Sequence, residues 1–235
     1  MRNKYSETFI LSLGGSMICP PTGVDGEFLN KFSNFIRKQI SAKNRRFFIV
    51  CGGGDVCRKY QEAGRKATDG KATDEDIDWL GTHATRLNAH LVRTVFADIA
   101  HPRIIEHYEM IEKTEEPVIV ASGWKPGWSS DYDAVILAED YNATKIINMS
   151  NIEKVYTADP KKNPGAKPID DISWKDYRAI IGDKWSPGFN APFDPVASRL
   201  AEELKLNVYI IEGHNFDNLA SILDNKKFVG TLIHP

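Results

Sequence analysis

A charge excess of either sign is missing from this chain. Its 30 lysines and arginines nearly balance 32 aspartates and glutamates, leaving a net charge of −2 over 235 residues. That balance gives no reason to expect nucleic acid or an acidic membrane surface as a partner. Long apolar runs are missing too: none approaches the roughly 20 residues needed to span a bilayer. The apolar stretch near the N-terminus is too short for a secretory leader. Cysteine is scarce, and Cys19, Cys51 and Cys57 leave one thiol unpaired in any disulfide scheme. Cys51 and Cys57 lack metal-ligand spacing and a nearby histidine. The three read as structural thiols of a reduced, cytoplasmic protein with no metal centre of its own. Several familiar signatures are also absent. There is no G-x-x-x-x-G-K-S/T and no GxGxxG, which argues against a P-loop enzyme and a dinucleotide fold. There is no G-x-S-x-G elbow and no H-E-x-x-H.

What the chain does have is a 42% apolar composition arranged in alternating short runs and helical patterns. Residues 9–13, 47–51, 117–121, 145–149, 208–211 and 229–233 read as strands. Residues 25–41, 55–67, 131–141, 173–181, 195–204 and 216–223 read as helices, with a long helix from a Thr73 cap to about residue 98. This order predicts a mainly parallel sheet covered by helices on both faces, in a single continuous domain over 1–235. The stretch 159–168, with three prolines and several lysines, reads as a surface loop. The stretch 182–192, with Trp185, Pro187 and Gly188, reads as either a lid or a subunit contact.

Two of the apolar runs end in glycine clusters, Gly14-Gly15-Ser16 and Gly52-Gly53-Gly54. Glycine allows a sharp turn and a close approach of backbone to a ligand. Backbone N–H groups at a strand-to-helix turn suit an anion. Two such turns in the first quarter of the chain suggest a site that grips phosphate from two sides. The plainer reading is a pair of tight turns with no ligand.

The motifs, taken in order, resemble the amino acid kinase superfamily, and most closely its archaeal-type uridylate (UMP) kinases. The resemblance covers nearly the whole chain. Gly14-Gly15-Ser16 is similar to the family's first glycine turn. Gly52-Gly53-Gly54 with Arg58 is similar to its GGG-x-x-x-R turn. Asp78, Gly81, Ala84, Thr85 and Asn88 match a D-x-x-G…A-T…N helix. Ser122-Gly123 followed by Ser129-Ser130-Asp131 resembles a G-G…T-T-D segment. Asn151 with Tyr156, Asp159 and Lys162 resembles N-x-x-G-V-Y-T-A-D-P-x-K. Phe193-Asp194-Pro195 with Ala197, and the closing Gly230-Thr231, match as well.

The resemblance implies a three-layer α/β/α sandwich, with an acceptor-binding lobe at about 1–140 and an ATP-binding lobe at about 141–235. It implies transfer of the γ-phosphate of ATP, with Mg²⁺, to UMP, giving UDP in pyrimidine nucleotide biosynthesis. Phosphoryl transfer asks a protein mainly to position two phosphates and neutralise their charge. By resemblance, Gly15, Gly53 and Gly54 hold the transferring group. Arg58 pairs with the acceptor phosphate, and Asp78 accepts from the ribose hydroxyls. Gly123, Trp124, Ser129 and Ser130 complete the acceptor side. Asp131 orients cationic groups or Mg²⁺. Gly14, Ser16, Asn151, Tyr156, Asp159 and Lys162 attend the ATP, with Lys162 stabilising transferred charge. The residues keep plainer alternatives: a surface arginine for Arg58, a helix-dipole carboxylate for Asp78, a cap for Asp131, a solvated lysine for Lys162. A homo-oligomer is implied, a hexamer assembled as a trimer of dimers.

Three departures bear on substrate. Ser12 stands where many members carry a lysine, so Lys125 or Lys162 would supply more positive charge. Trp124 and Trp128 replace small or polar residues. Ser150–Lys154 lacks the usual glycine before Val155-Tyr156. They keep two alternatives open: another acceptor (a carboxylate, a carbamate or an isoprenoid phosphate) and a non-catalytic nucleotide-binding or storage protein.

Overall fold

Strand β1 (Glu7–Leu13) is buried from Phe9 onward, mostly through apolar residues, because both of its faces are covered. Phe9, Leu11 and Leu13 pack into one core, while Ile10 packs into another on the opposite side of the sheet. The computed structural model describes residues 4–182 and 191–235. After β1 come α1 (Gly15–Ile18), α2 (Gly26–Lys43), β2 (Arg45–Cys51), α3 (Gly54–Ala67) and α4 (Asp74–Val95). β3 (Val118–Ala121), α5 (Ser130–Asp140), β4 (Lys145–Ser150), β5 (Val155–Tyr156), β6 (Pro168–Ile169) and β7 (Asp171–Ser173) follow. The chain closes with α6 (Trp174–Ile181), α7 (Pro195–Glu203), β8 (Asn207–Glu212), α8 (Phe216–Leu223) and β9 (Thr231–His234).

Seven strands form one sheet in the order β3-β2-β1-β4-β8-β9-β7. The first five in that order are mutually parallel. β9 pairs antiparallel with β8, and β7 runs parallel to β9. Helices α2, α4 and α8 cover one face through Phe28, Phe32, Ile36, Ala89, Val92, Leu219 and Ile222. Helices α5, α6 and α7 cover the other through Ala134, Val135, Trp174, Tyr177, Ala197 and Ala201. This is the three-layer α/β/α sandwich, with a mainly parallel sheet, that the alternation of elements predicts.

The helix starts follow local chemistry. Thr73 caps α4 in a reciprocal box with Asp76: each side chain takes the other residue's backbone N–H. Ser129, Ser173, Asp194 and Asn215 each accept a first-turn amide at the head of α5, α6, α7 and α8. Four elements depart from the sequence reading. Helix α1 is a single turn and carries no periodicity. The 159–168 stretch is the turn of a small β5–β6 hairpin, closed by Thr157 N–H donating to Lys167 O at 3.0 Å. β7 precedes α6, where the sequence reading has no strand and starts a helix at Ser173. The last strand runs against the sheet direction. The 182–192 stretch read as a lid lies largely outside the described residues, Trp185, Pro187 and Gly188 included.

Candidate active site

Because β1, β2, β3 and β4 are parallel, their carboxyl ends lie along one edge. β1 sits between β2 and β4, so the strand order proceeds outward in opposite directions from it. Such a reversal opens a crevice at the carboxyl edge of an α/β sheet. Both glycine turns open there, Gly14-Gly15-Ser16 after β1 and Gly52-Gly53-Gly54 after β2.

The two turns are built against each other. A Cβ on Gly15 would lie 2.6 Å from the Gly54 Cα and 2.7 Å from the Gly52 carbonyl carbon. Gly54 has φ +66, and a Cβ there would strike the carbonyls of Gly15 and Cys19. Only glycine fits such backbone-to-backbone contact. Gly14 donates to Met149 O at 2.8 Å, and Gly52 donates to Leu13 O at 2.9 Å, which ties the turns to the strands. Among the described residues, no backbone carbonyl takes the N–H groups of Gly15, Ser16, Gly53 or Gly54. As leading residues of helices they have no partner one turn back. These donors are available to an anion.

Helix α4 supports this edge with one stripe of side chains. Asp78, Gly81, Thr85 and Asn88 recur at helical spacing. Asn88, 3% exposed, donates from Nδ2 to Gly52 O at 2.8 Å and to Gly53 O at 3.1 Å. Thr85 Oγ1 accepts from Gly123 N–H at 2.8 Å. Asp78 Oδ2 accepts from Gly127 N–H at 2.7 Å. Burial pushes the Asp78 carboxyl above its ordinary range, against the pull of the Gly127 amide. Gly81 faces Cys57, which in turn stands beside Gly53. Thus Asp78, Gly123 and Gly53 share one wall. Arg58 is on the exposed side of α3, 3.7 Å from Asp55.

The opposite wall is acidic. Asp131 opens α5 and receives the Ser12 hydroxyl at 3.3 Å, the Asn148 amide at 3.1 Å and the Asp194 N–H at 3.1 Å. Burial first, and Asp194 second, push the Asp131 carboxyl up to about 7. Asp194 is itself raised by burial, although it caps α7 through the Val196 and Ala197 amides. The Ser129 hydroxyl donates to Asp194 Oδ2, so the heads of α5 and α7 are joined. Asp133 is fully buried, and among the described residues neither of its oxygens has a hydrogen-bond partner within normal geometry. Burial raises it well above the carboxylate range, against a weaker pull from the Trp124 backbone. Among the described residues, no group of three or more histidine, cysteine, aspartate or glutamate side chains is arranged to hold a metal ion.

The 123–128 loop carries an aromatic ladder. Trp124 and Trp128 meet edge to face at 4.6 Å, and Trp128 meets Tyr132 at 4.5 Å. The Lys125 ammonium lies 3.8 Å from the Trp124 ring centre and 4.9 Å from that of Trp128. Lys125, Pro126 and Gly127 face Asp74, Asp78 and Trp79 across a cavity of about 550 Å³. Lys125 is therefore engaged on the Asp78 side. On the far side, Tyr156 is half-buried in β5, whereas Asn151, Asp159 and Lys162 are exposed on the loops that flank it. Lys162 Nζ stands 4.0 Å from Asp159.

The sequence reading missed the roles of Ser12, Asn148, Asp194, Thr85 and Asn88 as groups that orient the site. Asn148 had a signal, being a polar residue inside a buried strand. Asp194 had one too, as an acidic residue just before a helix-opening proline.

Comparison with known proteins agrees with this geometry. The model of the amino acid kinase family matches residues 7–212. A uridylate kinase from Methanospirillum hungatei is 33% identical over 229 residues, covering 96% of this chain and 94% of that protein. A uridylate kinase from Pyrococcus abyssi is 30% identical, covering 96% of this chain and 99% of its own. The crystal structure of uridylate kinase from Archaeoglobus fulgidus superposes with a TM-score of 0.81 at 30% identity, covering 96% of this chain and 99% of that one. Architecture, site and similarity agree that this chain belongs to the amino acid kinase family.

Proposed function

We propose that this protein transfers the γ-phosphoryl group of ATP to UMP, giving UDP and ADP. The observation that carries the reading is the joined pair of glycine turns at the strand-order reversal, with their free amides, on one wall with Asp78. An acceptor nucleotide needs a phosphate cradle and, one ribose away, a hydroxyl acceptor, and that wall holds both kinds of group. The full-length similarity to archaeal uridylate kinases supports UMP over a carboxylate, carbamate or isoprenoid phosphate.

In this reading the free amides of Gly15, Gly53 and Gly54 hold the transferring phosphoryl group, where fixed dipoles need no reorganisation. Arg58 is free on its helix face to pair with the acceptor phosphate through two N–H groups. Asp78 takes the ribose hydroxyls, and Gly123, Trp124, Ser129 and Ser130 bound the acceptor. Gly14, Ser16, Asn151, Tyr156, Asp159 and Lys162 attend the ATP. Bound together with ATP, Mg²⁺ would supply shielding of the phosphate charge. Asp131, held by Ser12, Asn148 and the Asp194 amide, orients the cationic side of that pair. With Ser12 in the lysine position, Lys162 is the cation of the donor side, and its exposed hairpin leaves it free to move.

The first half of the sheet, β3-β2-β1, serves the acceptor (about 1–140), and the β4-β8 half serves ATP (about 141–235). The proposed assembly is a homo-oligomer, a hexamer built from dimers, in the cytoplasm. Helix α3 supports it: none of its residues is buried, Tyr60 on it is 62% exposed, and Leu87 on α4 is 61% exposed. Among the described residues no helix is long and apolar enough to cross a membrane.

The test is ADP release with ATP, Mg²⁺ and a panel of UMP, CMP, dUMP, GMP and AMP. Turnover on UMP is expected. ATP binding without turnover on any of the panel would overturn the proposal in favour of another acceptor or a non-catalytic binder.

A further inference from the structure

We infer that Asn88 is the positioning residue that aims the acceptor-phosphate cradle, an inference that rests on the proposed kinase reading. In a trans peptide the carbonyl of one residue and the N–H of the next point in opposite directions across a rigid plane. Asn88 donates to Gly52 O and Gly53 O, at 2.8 and 3.1 Å. Those two carbonyls belong to the two peptide planes that carry the N–H groups of Gly53 and Gly54. Drawing both carbonyls toward α4 turns both N–H groups to the other side, away from the helix. Neither N–H has a backbone acceptor among the described residues.

The chemistry of the side chain is specific. A carboxamide nitrogen carries two protons and serves two carbonyls at once. A carboxylate of the same shape carries none and would face both oxygens with like charge. A glycine turn has little steric preference of its own. The first turn of α3 holds one of the two planes, through Cys57 N–H donating to Gly53 O at 3.4 Å, whereas among the described residues no backbone N–H holds Gly52 O. Asn88 supplies an anchor from a rigid helix, and it is buried, so water does not compete for the two carbonyls. It does not touch the ligand. It acts through Gly53 and Gly54.

The test separates phosphate recognition from everything else. UMP and uridine differ only in the phosphate, so the ratio of their dissociation constants reports the cradle. Binding of each is measured by calorimetry on the wild-type chain and on Asn88→Asp and Asn88→Ser, with thermal unfolding as the check of folding. The wild type should prefer UMP. In Asn88→Asp that preference should fall by about tenfold or more, the effect expected when hydrogen bonds to a charged group are lost. Uridine affinity should stay unchanged. If Asn88→Asp does not fold, Asn88→Ser, which keeps one donor, decides by the same ratio. A folded variant that retains the wild-type preference overturns the role of Asn88 and leaves the kinase reading standing. Loss of UMP and uridine binding in equal measure also overturns it, because that is what a merely structural residue would give. A wild type that binds uridine as tightly as UMP overturns the kinase reading itself.

Discussion

Asp131 and Asp194 are locked together where two helices begin: the Asp194 N–H donates to Asp131 Oδ2 at 3.1 Å, while the Asp194 carboxyl caps α7. Burial raises the cost of ionising both carboxyls, and the neighbouring Asp194 raises it further for Asp131. The Asp131 carboxyl, pushed up to about 7, binds its proton more tightly in the folded chain than in the unfolded one, where it titrates near 4. Its contribution to stability is therefore complete below about pH 4 and is lost as pH rises to about 7. Asp194 and Asp133 are raised as well and act in the same sense. Asp131→Asn removes the ionisation. The variant should unfold at higher urea than wild type at pH 8, with the gap closing at pH 5. A variant less stable than wild type at pH 8 would contradict this. Turnover of the same variant should fall by about a hundredfold or more, the scale for loss of a preorganised electrostatic group.

Gly15→Ala should fail for a different reason. The added methyl would meet backbone of the neighbouring turn, at 2.6 and 2.7 Å, and backbone at a strand end cannot step aside. The expected cost is about 3 kcal/mol, the upper part of the range for overpacking. Equilibrium urea unfolding measures it. A midpoint equal to that of wild type would mean that the two turns separate easily, and with it the idea of one joined cradle would fall.

Much of this fold is legible in the sequence, and the reasons are local. Residues 216–223 were read as a helix and form one over those residues, because Asn215 caps a clean apolar pattern. β1 and β2 each carry a mostly apolar run, Phe9–Leu13 and Phe47–Cys51, ended by glycine, as strands buried on both faces should. What is not legible depends on distance along the chain. Ser12, Asn148 and Asp194 meet at Asp131 across 119, 17 and 63 residues, and no spacing rule joins them. The β5–β6 hairpin was hidden because its strands are two residues long and its turn is rich in proline and lysine. The α4 stripe was visible as a motif, Asp78 to Asn88. Its meaning, three anchors for three separate turns, appears only once Gly53, Gly123 and Gly127 are seen beside it.

Arg58→Ala tests the acceptor side. The exposed guanidinium stands 3.7 Å from Asp55, a long contact, so its removal should leave stability within about 0.5 kcal/mol of wild type, as for other surface changes. In the proposed role its loss should raise the KM for UMP by about tenfold or more, the scale of hydrogen bonds to a charged group. The KM for ATP should not move. Steady-state kinetics with each substrate varied in turn decide the matter. An unchanged KM for UMP would return Arg58 to the surface.

Trp128→Ala tests the aromatic loop that faces Asp78. Trp128 stands between Trp124 and Tyr132 and is one of two rings beneath the Lys125 ammonium. Aromatic pairs of this kind contribute about 0.5–1.5 kcal/mol each beyond area burial. Taking out the central ring removes both pairs and leaves Gly127 fixed to Asp78 by a single hydrogen bond. That bond competes with any ribose hydroxyl for the same carboxylate. With the ladder intact, the loop is held in place when the ribose arrives, whether or not the Gly127 bond persists. With the ladder broken, the loop should have to be ordered by the substrate, and that entropy cost falls on acceptor binding. The expected outcome is a higher KM for UMP, by roughly tenfold, with kcat and the KM for ATP unchanged. A fall in kcat with KM unchanged would instead put Trp128 among the groups that act in the transition state.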